Sequence, residues 1–482
     1  MRHRAAPPSE SSRHRQQGVA LMIMMLILIL GAAALFVRDL GGRSATTARI
    51  TQSAAALAAA KQALLGAIVT ADSTSPGNLG ALPCPDINAG GGFAEGAAHT
   101  TACLARYRSA LGRLPWRTLG IDPGRVRGAE CLWYAVSGTW KHATAAPSEL
   151  LNTDTNGLFR IFAGNGTTLL AGATPAERAV AVIIAPGALR PGQVRTTPAA
   201  GSEQCGGNYT AANYLDRDTV TGINNADLAS AANAVDDFMV ADASRDDFND
   251  QVLWITRADI EAELARRADL QAKWSALTFA VAKCIADYGR RNAAGVADRR
   301  LPWPAPLVLA QYRSDSQYND TPVGWLSGRV ADRVNDSNAA TGNPTARVLT
   351  NCSTAAVPEW TAENAALWRH WKDHLFYAVA GSFSPSAAPH SSCGTCLRVN
   401  GAGSWAAVVL FSGPRLAALS QVRDEPPTDA DTRGTLANYL EGRNATNHPN
   451  AGGAADYESG VATPNFNDVL YCVDSALAVV SC

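Results

Sequence analysis

Residues 16–37 read QQGVALMIMMLILILGAAALFV, and the rest of the chain is organised around this stretch. From Val19 to Val37 the segment is apolar and carries no charge. A helix of that length spans roughly 28 Å at about 1.5 Å per residue, close to the hydrocarbon thickness of a bilayer. The segment before it carries the arginines Arg2, Arg4, Arg13 and Arg15. Because a cationic flank stays in the cytoplasm, we expect everything after Val37 to face outward.

The junction between Gly18 and Val19 separates the polar leader from the apolar run. On these residues the chain resembles the N-terminus of type IV prepilins and type II secretion pseudopilins, over residues 13–70. The resemblance implies that a prepilin peptidase cuts after Gly18 and that the new N-terminus, Val19, is methylated. It implies a cytoplasmic leader peptide at 1–18 and an inner-membrane transmembrane helix at 19–37, which packs beside other pilin or pseudopilin subunits.

Ile23 departs from the family pattern, in which a glutamate at the fifth mature position meets the terminal amine of a neighbouring subunit. A carboxylate in hydrocarbon is costly unless it is paired. A subunit at the filament tip has no neighbour beyond it and can dispense with the acid, and the K-type minor pseudopilin is similar in this respect. The departure therefore favours a minor, tip or initiating subunit over a major pilin.

Two other interpretations of the N-terminus stay open. Residues 1–34 fit a secretory signal with Ala32-Ala33-Ala34 as the small-residue cleavage site. The apolar run also fits an uncleaved signal anchor. The three interpretations differ in the first residue of the mature chain, which is Val19, Leu35 or Met1.

Length and composition indicate a large protein that can form hydrophobic cores. Removing the leader from the 482 residues leaves 464, so we expect two or three domains. Apolar residues make up 47% of the chain and charged residues 17%, which argues against extensive disorder. The formal net charge is −1, and the leader holds four Arg and one Glu, so the mature chain is slightly acidic. Nucleic-acid binding therefore receives little support.

Ten cysteines follow the apolar run, and an even number in an exported chain indicates up to five disulfides. The sequence-close pairs Cys84/Cys103 and Cys472/Cys482 are guesses, and the remaining connectivity does not follow from the sequence. The disulfide candidates are Cys84, Cys103, Cys131, Cys205, Cys284, Cys352, Cys393, Cys396, Cys472 and Cys482.

A helix is predicted from Ala45 to Val69, after a polar break at Gly41-Gly42. Its apolar residues fall near one face and should pack on a sheet. They are Ile50, Leu57, Leu64, Leu65 and Ile68.

The chain also contains an internal repeat, because six segments recur in the same order. The matches pair 54–69 with 270–288, 82–85 with 301–304, 132–138 with 375–381, 181–185 with 408–412, 193–195 with 421–423, and 248–250 with 466–468. Six ordered matches indicate a duplication. Each unit is one helix followed by short β-rich runs, which favours an α+β fold with an antiparallel sheet.

We therefore predict a long N-terminal membrane helix followed by two tandem duplicated pilin-like modules, at residues 38–257 and 258–482. The boundary lies near 256–268, where Thr256 caps a helix with Asp259 three residues on. Apolar residues then step by three or four along the lead helix of the second module. They are Leu270, Trp274, Leu277, Val281, Ile285 and Tyr288.

His370 and His374 stand four residues apart, a spacing that places two imidazoles on one helix face, as zinc sites require. No third ligand is evident in the sequence. The competing interpretation is a helix that packs Trp368 and Trp371 on the sheet, and we expect no metal centre here.

Cys393-Gly394-Thr395-Cys396 is a CxxC motif, which is redox-active when it opens a helix after a strand. Here it precedes a strand-like run and lies in a loop rich in Ser, Gly and Pro. A structural role is therefore predicted, either as a local bridge or with each cysteine paired elsewhere.

Asn152, Asp154 and Asn156 with Gly157 resemble the start of a calcium loop, because alternating oxygen side chains suit a hard cation. The twelfth position is Ala163 in place of the usual Glu. A polar turn is the preferred interpretation, with calcium as the only cofactor that the sequence suggests.

The repeated Phe-Asn-Asp motifs at 248–250 and 466–468 precede strand-like runs, which favours turns whose Asn and Asp bond nearby backbone. The sequence contains no phosphate loop, HExxH or GxSxG motif, so we predict no enzyme and no catalytic residues. The predicted role is a minor pilin or pseudopilin that initiates, caps or decorates a filament. The alternative is an envelope-anchored or tip adhesin without an assembly role.

Overall fold

The computed structural model describes residues 44–74, 79–88, 94–99, 103, 107–122, 130–141, 151–196, 204–242, 245, 247–293, 295–320, 324–334, 347–388, 393–423, 432–448 and 455–482. The leader 1–18, the predicted membrane helix 19–37, the Gly18–Val19 junction and Ile23 lie outside these residues. Within the described part the chain is mixed helix and sheet. Its α-helices are α1 (Ser44–Thr74), α2 (Arg257–Leu264), α3 (Leu270–Arg291), α4 (Ala362–Trp371) and α5 (Gly442–Asn447).

Seven strands form the first sheet, which lies entirely in the first half of the chain. They are β1 (Ala110–Arg113), β2 (Trp133–Val136), β3 (Phe159–Phe162), β4 (Leu169–Ala171), β5 (Ala179–Ala185), β6 (Asp236–Met239) and β7 (Gln251–Thr256). The central path runs β1-β2-β5-β3-β4, and β7 pairs with β5. All pairs are antiparallel except β3 with β6.

The second half forms a five-stranded sheet in the order β15-β14-β12-β9-β8 and a three-stranded sheet in the order β11-β10-β13. The strands are β8 (Ser327–Arg329), β9 (Leu375–Val379), β10 (Leu397–Val399), β11 (Ala402–Trp405), β12 (Ala407–Phe411), β13 (Asp456–Tyr457), β14 (Val469–Val473) and β15 (Val479–Ser481). Only β10 with β13 is parallel among these pairs.

Seven strands of each half correspond in order and direction, and β15 has no counterpart among the described strands of the first half. β1-β2-β5-β7 matches β8-β9-β12-β14, and the hairpin β3–β4 with its parallel neighbour β6 matches β10–β11 with β13. The phenol of Tyr134 donates to the carbonyl of Pro83 at 3.1 Å, and that of Tyr377 donates to Pro302 at the same distance. These four residues lie in segments that the sequence repeat had paired.

The register of the paired strands shifts one of the sequence-repeat matches by one residue. Ala181 lies opposite Val136 in the first sheet, and Ala407 lies opposite Val379 in the second. Residues 181–185 therefore correspond to 407–411, whereas the sequence match placed them at 408–412. Both stretches are runs of small and branched apolar residues, so letter matching alone cannot distinguish the two registers.

Helix α1 packs on β5 and β7 through Leu57, Leu64, Leu65 and Ile68, as the apolar pattern predicted. Ile50 departs from the prediction and is 49% exposed, because it lies in the stretch 48–52 of α1, where no residue is buried. By length and composition, Ala48–Ser73 is apolar enough to cross a membrane, a criterion that a core helix also satisfies.

The second half has its own lead helix, α3, which packs on β12 and β14 just as α1 packs on β5 and β7. All six residues of its predicted core face are buried. Thr256 caps the preceding helix α2, where its hydroxyl accepts from the Asp259 main-chain N–H and the Asp259 carboxylate accepts from Thr256 N. β7 thus ends where the second half begins its helices.

One hydrophobic core spans both halves of the described chain. It includes Leu64 of α1, Val180 of β5, Trp274 of α3 and Val409 of β12. A second cluster, around Phe159, lies on the other face of the first sheet. The two halves therefore share buried surface and pack against each other.

All ten cysteines are paired, and none is free. The two guessed pairs, Cys84–Cys103 and Cys472–Cys482, are confirmed. The other bonds are Cys131–Cys205, Cys284–Cys352 and the local bridge Cys393–Cys396. Each bond stays within one half of the chain.

Candidate functional site

The densest group of buried ionisable side chains lies where residues 151–157 of the first half meet the second half. Asn152 begins a tight turn in which its Oδ1 accepts from the main-chain N–H of Asp154 at 3.0 Å. The turn directs the Asp154 carboxylate toward the start of β9 and the loop after β12. Asp154 is fully buried there.

Three cationic or basic groups converge on Asp154. Its Oδ2 lies 2.9 Å from Nε2 of His374 and 3.4 Å from Nη1 of Arg423, and its Oδ1 lies 3.0 Å from Nε of Arg415. Burial alone would raise the pKa of Asp154, but these partners hold that pKa well below its ordinary value. The carboxylate is therefore ionised, and its charge is balanced inside the protein.

Asp373 forms the second anionic point of this cluster. Its Oδ1 accepts from Nδ2 of Asn152 at 2.9 Å, and its Oδ2 lies 3.3 Å from Nη1 of Arg433. Asn152 Nδ2 also donates to the main-chain carbonyl of His370 at 2.9 Å. One turn of the first half therefore binds both side-chain and main-chain groups of the second.

Ser412 completes an arrangement that outwardly resembles a hydrolase triad. Its Oγ lies 3.2 Å from Nδ1 of His374, whose Nε2 faces Asp154. The main-chain carbonyl of Ser412 and Nη1 of Arg423 also lie 2.9 and 3.3 Å from the same Nδ1. Ser412, His374 and Asp154 all have no exposed surface. A nucleophile needs an approach path for its substrate, so this geometry favours a structural network.

Asp154, Asp373 and His374 also place three ligand atoms within 4.8 Å of one another. A cation at their centre would lie beside guanidinium groups that already neutralise the carboxylates, Arg423 at Asp154 and Arg433 at Asp373. The donor set therefore suits a protein ion-pair network better than a metal ion.

The three residues of the predicted calcium loop point to different partners. Asn152 faces Asp373, Asp154 faces His374, and Oδ1 of Asn156 accepts from Nη1 of Arg257 at 2.8 Å. A calcium ion needs six or more converging oxygens. The structure uses these oxygens to receive N–H groups instead, which favours the polar-turn interpretation.

His370 and His374 do not form the helical pair that their spacing suggested. Helix α4 ends at Trp371, and Lys372–His374 form a 3-10 turn that directs His374 into the buried cluster. The group of potential metal ligands in the described part of the chain contains His374 but not His370. Trp371 packs against Trp274 of α3, with ring centroids 4.4 Å apart, and its ring also lies 6.0 Å from that of Phe411 in β12, which is the sheet contact that the competing interpretation expected.

The CxxC motif forms a local bridge immediately before β10, in agreement with the predicted structural role. The Phe-Asn-Asp motifs also bond backbone, but their partners lie far away in sequence. Nδ2 of Asn249 donates to the carbonyl of Ala188, and that of Asn467 donates to Pro414.

Sequence reasoning missed Ser412, Arg415 and Asp373 and did not recognise the role of Arg423. Arg423 lies in the repeated Gln-Val-Arg segment, which was identified only as a sign of duplication. The recurrence of this arginine in both halves was the available signal that its side chain has a specific role. Its partner Asp154 is 269 residues away, and no local pattern connects the two.

Comparison with protein-family models, with curated proteins and with solved structures finds no match to this chain.

Proposed function

We propose that this chain is a minor pilin-like or pseudopilin-like subunit that acts in assembly, initiation or tip capping of a type IV pilus or type II secretion pseudopilus. The observation that carries the proposal is the Gly18–Val19 junction followed by an uncharged run to Val37. A prepilin peptidase would release Val19, and the apolar helix would then pass from the inner membrane into a filament of similar subunits.

The position of α1 supports this proposal. The helix follows the apolar run in sequence and lies on an antiparallel sheet, which is the arrangement that the resemblance implies. Its residues from Ala48 to Gln52 are exposed, whereas Leu57 to Ile68 contribute to the core. Neighbouring helices would pack on these exposed residues, which lie toward the apolar run.

The size and chemistry of the exported part support a tip position. Two helix-and-sheet units are more than filament packing requires, and a tip is where extra volume meets no subunit above it. The ionisable cluster around Asp154 is buried, and its charges are neutralised within the protein. This arrangement suits a rigid structural subunit better than an enzyme.

A complementation experiment tests the role. In source cells that lack this chain we expect loss of filaments or of secretion, and the wild-type chain should restore them. The Gly18→Glu variant should fail because the charged side chain stands at the cleavage junction, whereas Ser12→Ala, in the same leader, should restore them. Normal filaments that no longer adhere to surfaces would contradict the assembly role and favour the adhesin.

A further inference from the structure

Two buried carboxyl groups meet beneath the loops of the first half. Oδ2 of Asp250 accepts from the main-chain N–H of Asp216 at 2.7 Å and from Nδ2 of Asn225 at 3.1 Å. The Asp216 carboxylate in turn accepts from the main-chain N–H of Asn249 at 2.6 Å and from Nε2 of Gln193 at 3.3 Å. The pair ties the loop before β7 to the loop that contains Asp216 and Asn225.

The second half repeats this framework bond for bond. Oδ2 of Asp468 accepts from the main-chain N–H of Glu441 at 3.1 Å and from Nδ2 of Asn444 at 2.8 Å. The Glu441 carboxylate accepts from the main-chain N–H of Asn467 at 3.0 Å and from Nε2 of Gln421 at 2.8 Å. The only change among the acidic groups is Glu441 in place of Asp216.

One carboxylate oxygen in each framework accepts no hydrogen bond from the described residues. Oδ1 of Asp250 and Oδ1 of Asp468 are buried, and no N–H or O–H group of the described part of the chain donates to them. A buried acceptor without a donor is costly, and two carboxylates in one site repel each other. A single proton on the pair resolves both difficulties, since the protonated acid becomes a donor to its neighbour.

The charged groups that face the two pairs differ. Arg190 lies 3.4 Å from Asp216, and Arg195 bridges Gln193 and Tyr214 close by. Among the described residues, the position of Arg190 is taken by an apolar residue in the second half. The main-chain N–H of Arg190 donates to Gln193 Oε1, and the main-chain N–H of Leu416 donates to Gln421 Oε1 in the same way.

Arg423, the counterpart of Arg195, donates to Gln421 Oε1 and is also held by Asp154. The second pair therefore has less cationic support for its second negative charge.

We propose that the Asp216–Asp250 and Glu441–Asp468 pairs each hold one shared proton at neutral pH, and that these two protons fasten the loops of each half to its sheet. As pH rises from 5 the fold weakens, because the unfolded chain does not hold these protons, and alkaline pH then removes the proton from the first pair before the second. Each half thus contains one buried carboxyl pair whose contribution to stability depends on pH. Neither the filament role nor membrane insertion is required for this inference.

The direction of the pKa shifts agrees with the geometry. Burial and then the Asp216 charge raise the pKa of Asp250 to about 8, and burial followed by Glu441 raises the pKa of Asp468 well above its ordinary value. A raised carboxyl pKa stabilises the fold fully below the unfolded value of 3.8. That stabilisation is lost as pH rises through the folded pKa.

The test compares variants of the full chain in detergent by urea unfolding between pH 5 and 7.5. Asp250→Asn and Asp468→Asn keep the shape of the protonated acid and cannot ionise. For each pair we compare the folding equilibrium constant of the wild type with that of the variant. The ratio of wild type to variant should fall about tenfold per pH unit, because the wild type loses one bound proton on unfolding. Asp237→Asn, a partly exposed carboxylate paired with Arg160, should give a flat ratio.

A flat ratio for Asp250→Asn and Asp468→Asn would overturn the proposal, since it would mean that neither pair binds a proton. Infrared difference spectra of the wild type give a second test that does not depend on the folding of a variant. The carbonyl stretch of a protonated carboxylic acid should be present at pH 7 and disappear at alkaline pH. Its absence at pH 7 would equally overturn the proposal.

Discussion

Asp154 shows how a single residue joins the two halves of the chain. It leaves a turn of the first half and meets His374, Arg415 and Arg423, which all belong to the second. Its lowered pKa means that the stability it contributes is present above the ordinary carboxyl pKa and is lost as pH falls. The buried carboxyl pairs behave oppositely, so the fold should be most stable at mildly acidic pH.

Replacing Asp154 with Asn should destabilise the protein by about 3–5 kcal/mol, because breaking a buried ion pair leaves an uncompensated charge. The Arg423 side chain has no exposed surface, and it would keep its charge without the Asp154 carboxylate to balance it. The measurement is the free energy of unfolding in urea at pH 7. Asp237→Asn, which breaks a partly exposed pair with Arg160, is the matched control and should cost at most about 1 kcal/mol. Equal costs for the two variants would contradict a stabilising contribution of the Asp154 cluster.

At the scale of elements, the edge strands β1 and β8 are attached in the same way. Gly112 of β1 lies against the carbonyl of Asp86, and Gly328 of β8 lies against the carbonyl of Ala305. The main-chain groups of Asp86 and Arg113 bond each other reciprocally, as do those of Ala305 and Arg329. Both glycines are therefore required by close backbone approach.

Gly112→Ala and Gly328→Ala should each destabilise the fold by about 1–3 kcal/mol, because the added methyl overlaps a backbone oxygen that cannot move without breaking the edge pairing. Gly66→Ala in α1 is the control: its new methyl meets nothing, and the helix should gain up to about 1 kcal/mol. Thermal unfolding midpoints of the three variants provide the measurement. A destabilised Gly66→Ala beside unchanged Gly112→Ala and Gly328→Ala would refute this account of the edges.

The elements also show what the sequence could predict. Apolar periodicity found the buried face of α3, and Thr256 with Asp259 located the capped helix start, because both signals are local. Repeated letters paired the right strands but missed the register of β12 by one residue. The Asp154 cluster escaped prediction because its members meet only after both sheets and their loops are in place.

On the scale of the whole molecule, the shared core and the Asp154 cluster join the described parts of the two halves into one unit, with α1 on the seven-stranded sheet and α3 on the five-stranded sheet. The ordered sequence matches predict two helix-and-sheet units, but they do not predict that the units share a core. Its proposed role depends on a different part of the chain, the junction at Gly18 and Val19. The central claim is therefore that the protein is processed as a prepilin.

Mass spectrometry of the N-terminus of the protein from its native membrane tests this claim most directly. We predict a chain that begins at Val19 with an N-methylated amino group. A chain that begins at Leu35 would contradict the claim and identify an ordinary secreted protein. An intact Met1 would also contradict it, leaving a membrane-anchored tandem binding protein.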